Sequence, residues 1–231
     1  MSDLFHEDVP DEFIDQVFAT MGLTPWHTYQ ILTKRPERML EYLTIPVRGA
    51  WARRAFLENK PMPAALWRLQ DTITERLART PADILNRASQ WGNDHYSECC
   101  SFTPPWPFAN VWLGVSVESA KYLPRLDVLD RVPAKVRFVS AEPLLGPLDL
   151  RPWLDCADCG CEHSGCKSWG HDFRGLNQVI VGGESGPHHR PMKVEWVEDI
   201  AAQCDAAGVP LFVKQDSDPQ PGKQGRLPDS L

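Results

Sequence analysis

Five short apolar runs, each ending abruptly at polar or ionisable residues, constrain the fold of this chain more than any other feature. The runs cover residues 28–33, 110–115, 136–139, 179–181 and 210–213. Runs of this length that are rich in Val, Ile and aromatic residues are typical of strands buried on both faces of a sheet. Stretches with helical periodicity lie between most of them. The pattern therefore predicts an α/β fold built on a parallel sheet.

Ionisable side chains stand at the ends of these runs. They are Lys34, Arg35, Glu118, Glu142, Glu184 and Lys214. In parallel β/α folds, ligands bind at the carboxyl ends of the strands, because the loops there lie over a rigid scaffold. We therefore expect these side chains to lie together at one ligand-binding edge of the sheet.

Two of these carboxylates, Glu118 and Glu142, allow two interpretations. Each either acts as a base or pairs with Lys34 or Lys214, and the sequence leaves both roles open. Lys34 and Arg35 begin a predicted helix, where the helix dipole disfavours cations. A compensating carboxylate or a bound anion is therefore expected next to them.

Gly182 and Gly183 follow the fourth run and precede Glu184. Glycines at this place let the backbone approach a ligand closely, and successive N–H groups form an anion-binding nest. The spacing matches neither the dinucleotide-binding motif nor the phosphate-binding loop, and a glycine pair after a strand is also common as a plain turn. Residues 188–190, His-His-Arg, are a second candidate for contact with an anionic group.

The composition excludes several classes of function. The chain has 231 residues and a formal net charge of −7, whereas proteins that bind nucleic acid non-specifically need clustered Lys and Arg. No stretch approaches the roughly 20 apolar residues of a membrane span, and no signal peptide is visible. We therefore expect a cytoplasmic protein with a small-molecule or macromolecular substrate, without membrane association and without non-specific nucleic-acid binding.

The predicted organisation is a single (β/α) domain over residues 1–215, interrupted twice and followed by a tail. A helical insertion occupies residues 44–109, and a Cys-rich insertion occupies residues 155–175. Residues 216–231 are rich in Pro, Gly, Gln and Asp and are predicted to be a disordered tail.

Helical spacing identifies the first and last helices of the domain. Phe13, Val17 and Met21 recur every four residues and predict the apolar face of the first helix. In the last helix, Val197 and its neighbours form the apolar face, and Gly208 is the predicted stop.

Four cysteines fall within eleven residues: Cys156, Cys159, Cys161 and Cys166. In a reducing compartment, four such thiols form a soft tetrahedral site that suits zinc best, and four protein ligands would give the ion a structural role. His163 and His171 are alternative ligands. The spacing is tighter than that of a standard zinc ribbon, so a loop without metal and an iron–sulfur cluster stay open as alternatives.

Six ordered motifs cover most of the chain outside residues 44–109. They are residues 1–7 (MSDLFHE), 30–35 (QILTKR), 110–116 (NVWLGVS), 142–144 (EPL), 181–186 (VGGESG) and 212–215 (FVKQ). This set resembles the phage gene-product 37/68 family, a family of unknown function. Its members begin with a three-cysteine motif similar to the cluster-binding loop of radical S-adenosylmethionine enzymes. The resemblance implies a partial (β/α) TIM-like barrel with S-adenosylmethionine and a [4Fe–4S] cluster at the strand ends, in a phage- or prophage-encoded protein.

The resemblance also implies roles for individual residues. The catalytic candidates are Lys34 and Lys214, which would hold anionic groups, and Glu142 and Glu184, which would hydrogen-bond a ribose, an amine or the substrate. The candidates for cofactor binding are Asp3, His6, Arg35, Ser116, Glu118, Gly182, Gly183 and Gln215.

The chain departs from the family pattern at the cluster loop. Met1 corresponds to a methionine inside the family motif, so the three-cysteine segment is missing, and residues 1–30 contain no cysteine. The comparison implies a truncated gene, a misassigned start or one part of a split protein. We therefore expect a radical-SAM-like chain that is not catalytic alone. The alternative is a non-enzymatic, zinc-stabilised phage accessory or binding protein that works with a partner protein.

Overall fold

The computed structural model describes residues 3–44, 107–154, 175–223 and 225–227. Within them, helices and strands alternate along the chain. Their bounds are α1 (Asp11–Leu23), β1 (Tyr29–Thr33), α2 (Pro36–Thr44), β2 (Val111–Ser116), a 3₁₀ turn (Ala120–Tyr122), α3 (Pro124–Asp130), β3 (Val136–Ala141), α4 (Arg151–Leu154), β4 (Gln178–Gly182), α5 (Val194–Ala207) and β5 (Leu211–Gln215).

The strands form a five-stranded parallel sheet in the described part of the chain, with the order β1-β2-β3-β4-β5. Each of the five apolar runs contributes one strand, so the predicted α/β class with a parallel sheet is confirmed. Neighbouring strands follow sequence order, as βαβ connections produce when each new strand is added on the same side. Closure of the sheet into a partial barrel remains a prediction.

Strands β3, β4 and β5 are in register through their central residues. Ser140 lies beside Ile180, and Ile180 lies beside Phe212 of the next strand. A bulge between Val181 and Gly182 then shifts the pairing of β4 with β5. Because side chains alternate between the two faces of a strand and registered neighbours share a face, the row through Ile180 points to one face of the sheet.

The described residues divide into two compact units. The first unit comprises residues 3–31, 35–44, 107–112 and 132–135, and the second unit comprises residues 32–34, 113–131, 136–154 and 175–227 without residue 224. The first unit contains α1 and α2, and the second contains α3, α4, α5 and the strands β3 to β5.

The first unit has an aromatic core. The ring centroid of Phe18 lies 5.8 Å from that of Tyr42 and 6.5 Å from that of Phe108. The ring centroid of Phe5 lies 6.0 Å from that of Tyr42. The Tyr42 hydroxyl donates a hydrogen bond to the buried carboxylate of Asp15, so a polar group inside this core has a partner.

The buried face of α1 is offset from the face that the sequence predicts. Phe13 is 52% exposed, whereas Ile14, Phe18 and Met21 are buried. Both sets of residues satisfy helical periodicity, because positions i, i+4 and i+7 also share one face of a helix. The aromatic core decides between them, since Phe18 is the residue that packs on Tyr42.

Helix α5 follows its prediction closely. Val197, Ile200 and Cys204 are buried, and Gly208 ends the helix in the left-handed region, with φ at +66°. The buried side chain of Gln203 accepts from and donates to the backbone just before α4, at 2.7 and 2.9 Å. These bonds fix α5 against the segment that precedes α4.

Residues 45–106 and 155–174 lie outside the described residues. The helical insertion at residues 44–109, the Cys-rich insertion at residues 155–175 and the single-domain boundary at residues 1–215 therefore stay predictions. Of the helices in the described ranges, none has the length and apolar character that a bilayer crossing needs.

Candidate functional site at the carboxyl ends of the strands

Three strands lead into a glutamate that is paired with a cation, and all three pairs belong to the second unit. Glu118 follows β2, Glu142 follows β3 and Glu184 follows β4. Their respective partners are Lys34, Lys214 and Arg190. Because the strands are parallel, all three pairs stand at the carboxyl-terminal edge of the sheet, where the sequence predicts the site.

Glu118 is held by two cations. Lys34 donates a hydrogen bond to Oε1, and Arg125 Nη1 lies 3.2 Å from Oε2. Arg125 is itself fixed by the Ser116 carbonyl oxygen at 2.6 Å and by the face of the Tyr122 ring at 4.2 Å. Burial raises the pKa of Glu118, but the bonds and charges of Lys34 and Arg125 outweigh burial and lower it. The compensating carboxylate expected beside Lys34 is therefore confirmed.

Glu142 lies over Gly182 and links the end of β3 to β5. Its Oε2 accepts a hydrogen bond from the Ser140 hydroxyl at 2.9 Å, and its Oε1 lies 3.1 Å from Lys214 Nζ. A Cβ atom at Gly182 would lie 2.8 Å from Oε1, so the glycine leaves the space that the carboxylate occupies. Glu142 and Glu118 both form the ion pairs that the sequence allows, and a role as a base stays a proposal.

Glu184 and Arg190 form a bidentate pair across the loop after β4. Arg190 donates from Nε to Oε2 at 2.7 Å and from Nη2 to Oε1 at 3.0 Å, and its backbone N–H donates to Oε2 at 2.9 Å. These bonds lower the pKa of Glu184 to about 2. A carboxylate with such a pKa is a weak base at neutral pH, which favours a binding role over proton abstraction.

The pair after β4 interacts electrostatically with the glutamate after β2. The bonds to Glu184 and, more weakly, the charge of Glu118 raise the pKa of Arg190. The pair after β4 is therefore within electrostatic reach of the glutamate after β2.

Backbone hydrogen bonds join the loops after the strands into a continuous edge. The loop after β3 is bonded to the loop after β2 and to the end of β4, and the loop after β4 is bonded to the end of β5. Each of these bonds is 2.9 Å long. The bonds run from Leu145 N to Glu118 O, from Leu144 N to Gly182 O and from Gly183 N to Gln215 O. The carboxylates are thus carried by fixed backbone, as a preorganised binding site requires.

Gly183 is packed against the chain that follows β5. A Cβ atom at Gly183 would lie 2.2 Å from Ser217 N and 2.6 Å from the carbonyl carbon of Asp216. The Gln215 side chain donates to the Gly183 carbonyl at 2.9 Å and accepts from Gly222 N at 2.8 Å. The close backbone approach that the glycine pair predicts for a ligand is thus made, at Gly183, by the chain itself.

Asp216 is a buried carboxylate, 2% exposed, that anchors the chain after β5. Arg226 donates from Nη2 to Oδ1 at 2.8 Å and from Nε to Oδ2 at 3.0 Å, and the backbone N–H of Ser217 donates to Oδ1 at 2.7 Å. Burial raises the pKa of Asp216, but these bonds outweigh it and lower the pKa to about 2. Arg226 Nη2 also donates to the Met192 carbonyl at 2.7 Å. The composition of residues 216–231, which predicts disorder, does not anticipate these contacts.

Three predicted cofactor-binding residues belong to the first unit. Arg35 Nη1 lies 3.1 Å from Asp3 Oδ2, while Asp3 Oδ1 accepts a hydrogen bond from Phe5 N at 3.0 Å. His6 Nδ1 accepts from Asp8 N at 3.2 Å. Arg35 thus has the compensating carboxylate expected for a cation at a helix start. A cofactor-binding role for the three residues stays a prediction.

The predicted metal ligands lie outside the described residues; they are Cys156, Cys159, Cys161 and Cys166. Across the ranges that the structure describes, no group of three or more His, Cys, Asp or Glu side chains is arranged to hold a metal ion. The cysteine that those ranges contain, Cys204, is buried in α5, and burial raises the pKa of its thiol to about 11. Zinc and a [4Fe–4S] cluster therefore stay predictions.

Sequence reasoning missed four residues of this edge: Arg125, Ser140, Asp216 and Arg226. Ser140 directly follows the third apolar run, but it is not ionisable and was not selected there. Arg125 lies on a helix, where no strand-end pattern is read. Asp216 directly follows β5, so the strand-end rule includes it, whereas the composition of residues 216–231 predicts a disordered tail. Arg226 carries no local signal, because its partner is ten residues away.

The cations of the three pairs face solvent more than the glutamates do. For the pairs after β2, β3 and β4, the cation is 55, 53 and 59% exposed, whereas the glutamate is 8, 22 and 31% exposed. A molecule that approaches this edge meets ammonium and guanidinium groups first, with carboxylate oxygens beneath them. Such an arrangement has the chemistry to bind an anionic group through the cations and hydrogen-bond donors through the carboxylates.

Comparison with known proteins gives a family and no characterised relative. Residues 1–226 match a family model described as Protein of unknown function (DUF5131). No curated protein and no solved structure matches the chain. The matched range contains all three strand-end pairs and the Asp216–Arg226 pair.

Proposed function

We propose that this chain, which belongs to the DUF5131 family of proteins of unknown function, binds a small ligand at the carboxyl ends of its strands. The ligand carries an anionic group, which the exposed cations bind. It also carries hydroxyl or amino groups, which donate hydrogen bonds to the glutamates. One observation carries the proposal. Strands β2, β3 and β4 each lead into a glutamate held by a solvent-facing cation, in one compact unit.

S-adenosylmethionine is the ligand that we propose, on the basis of the resemblance to the phage gene-product 37/68 family. Its carboxylate suits the ammonium groups of Lys34 or Lys214, and its amino group and ribose hydroxyls suit the oxygens of Glu142 and Glu184. The low pKa of Glu184 supports the role of an ionised acceptor. A partial TIM-like barrel, proposed on the same resemblance, would bind its ligand at these strand ends.

A [4Fe–4S] cluster does not fit the residues that the structure describes. Iron–sulfur clusters are held by cysteine thiolates, and Cys204 is buried with a raised pKa, so its thiol stays protonated near neutral pH. We therefore propose that the described residues bind the ligand and do not support radical chemistry alone. Cluster chemistry would need cysteines from another segment or from a partner protein.

Titration calorimetry with S-adenosylmethionine tests the proposal. The wild type should bind it saturably, and Lys214→Met should weaken binding about tenfold, or about 1.4 kcal/mol, because a charge-assisted contact is lost. Asp149→Asn is the matched control, since Asp149 pairs with Arg151 at 2.7 Å in an exposed ion pair outside the strand ends. A wild type without saturable binding up to about 1 mM contradicts the proposal, as does equal weakening in the control.

A structural zinc site is the second function that we propose, as part of a zinc-stabilised binding module. The four cysteines at residues 156–166 favour it, because four clustered thiols are a soft tetrahedral donor set. Elemental analysis of the purified protein should find about one zinc ion per chain, and Cys159→Ser should lower it while Cys204→Ser does not. Less than about 0.2 zinc ions per chain would remove the site.

A further inference from the structure

Phe212, in the middle of β5, presents its ring to solvent. It is 52% exposed, whereas Leu211 and Val213 on either side of it are half-buried. β5 is the last strand of the sheet in the part of the chain that the structure describes. An aromatic ring exposed on the face of a strand offers a flat apolar surface with a specific geometry for stacking.

The ring lies on the same face of the sheet as one of the strand-end pairs. Phe212 is in register with Ile180, and Ile180 is in register with Ser140, so these three side chains share one face of the sheet. Glu142 accepts a hydrogen bond from the Ser140 hydroxyl at 2.9 Å and reaches Lys214 at 3.1 Å. The ring and the Glu142–Lys214 pair are thus separated by about two residues of strand, or roughly 7 Å.

An apolar ring next to a charged pair fits a ligand that has a flat apolar group next to a charged group. Scattered apolar side chains on a surface need no explanation. This ring, however, is in register with the half-buried Ile180 and lies about two strand residues from the Glu142–Lys214 pair. A nucleoside with a charged 5′ substituent has a flat base at one end and a charge at the other, with the ribose between them. Bases stack on aromatic side chains whatever their sequence identity.

We infer that Phe212 is a specificity-determining residue: the planar base of a nucleoside ligand stacks on its ring while the charged 5′ end lies at the Glu142–Lys214 pair. This inference rests on the proposed function and adds how the ligand is selected. The pair recognises the charge, and the ring recognises the base. Ligands with a charge and no flat ring are therefore bound less well.

Two probes and two variants separate these contributions. S-adenosylmethionine carries both the base and the charged amino-acid end, whereas methylthioadenosine keeps the base and lacks that end. Phe212→Ala should weaken binding of both probes about tenfold, and Phe212→Trp should retain it. Lys214→Met should weaken S-adenosylmethionine about tenfold and leave methylthioadenosine within about twofold. Phe13→Ala is the matched control, because Phe13 is equally exposed, at 52%, and belongs to the first unit.

The outcomes distinguish this inference from the proposed function. If the wild type binds neither probe, the proposed function and this inference both fail. If it binds S-adenosylmethionine and Lys214→Met weakens it while Phe212→Ala does not, the inference about the ring fails alone. A Phe212→Ala variant that lowers the sedimentation mass and leaves both affinities unchanged also overturns it, because the ring would then cover an interface between copies. Thermal melting of each variant confirms that it is folded.

Discussion

Glu184 and Asp216 follow adjacent strands, and an arginine holds each of them through two side-chain hydrogen bonds. Their pKa values are both lowered to about 2. Their surroundings differ, because the side chain of Glu184 is 31% exposed and that of Asp216 is 2% exposed. Similar pairs at neighbouring strand ends thus have the same pKa and different burial.

The difference in burial separates a structural pair from a pair that is available to a ligand. Burial opposes the ionised form of Asp216, and the bonds from Arg226 and Ser217 have to outweigh it. Breaking that pair would leave a buried polar group without its partners. The bonds from Arg190 dominate at Glu184, where solvent can replace them. Asp216 therefore anchors the chain, and Glu184 can exchange its arginine for a ligand.

The largest effect is expected where the anchored chain packs against β4. Gly183→Ala places a Cβ atom 2.2 Å from Ser217 N, which is backbone and cannot move aside cheaply. We expect unfolding in urea to show a loss of roughly 2 to 3 kcal/mol. Gly146→Ala is the control, with no atom within 4 Å of the new Cβ, and should change stability by less than about 0.5 kcal/mol. Equal effects would mean that the segment after β5 is not packed there.

The next largest effect is expected from the buried pair. Asp216→Asn keeps the size of the side chain and removes the charge that Arg226 binds. From the lowered pKa, the loss of unfolding free energy should be on the order of 2 kcal/mol. Amide hydrogen exchange should accelerate at residues 216–223 as the anchor is lost. If the unfolding free energy and the amide exchange are unchanged, Asp216 is not an anchor, and the contrast with Glu184 is wrong.

The pH dependence of stability should follow the same carboxylate. The pKa of Asp216 falls from the ordinary 3.8 to about 2 on folding, so the unfolded chain binds the proton more readily. Its contribution is complete above about pH 5 and is lost as the pH falls from about 4 towards 2. Across this window, the unfolding free energy should depend less on pH for Asp216→Asn than for the wild type, as urea denaturation at each pH would show. Parallel curves for the two proteins would contradict the assigned pKa.

The smallest effect on stability is expected at Glu184. Glu184→Gln removes an exposed ion pair, which solvent screens, so the urea midpoint should not move beyond experimental error. The same variant should weaken binding of S-adenosylmethionine, because an ionised acceptor is lost. A midpoint shift as large as that of Asp216→Asn would show that the pair after β4 is also an anchor.

The predictability of this site varies from residue to residue. Lys34, Glu118 and Glu142 were found because strand ends are local in sequence and visible as a break in an apolar run. The sequence limits the partners of Glu118 and Glu142 to Lys34 and Lys214, but it does not assign one lysine to each glutamate. Arg125 was not found, because a guanidinium on a helix gives no sign of which strand end it reaches.

The same limit applies to the fold. The buried strands and the C-terminal stop of α5 at Gly208 follow from local patterns, and the structure confirms them. The buried face of α1 does not follow, because two overlapping sets of residues have helical spacing. Packing on Tyr42 selects the set that contains Phe18 and leaves Phe13 exposed.

The sequence by itself determined the α/β class, the five strands and the edge of the sheet at which charged residues gather. It could do so because strands buried on both faces need continuous apolar runs, and a polar residue ends such a run visibly. The tertiary structure alone decided which cation holds each glutamate, and it brought Arg226 back to bury Asp216 beside β4. These pairings depend on strand register and loop path, which bring together residues whose sequence separation carries no local pattern.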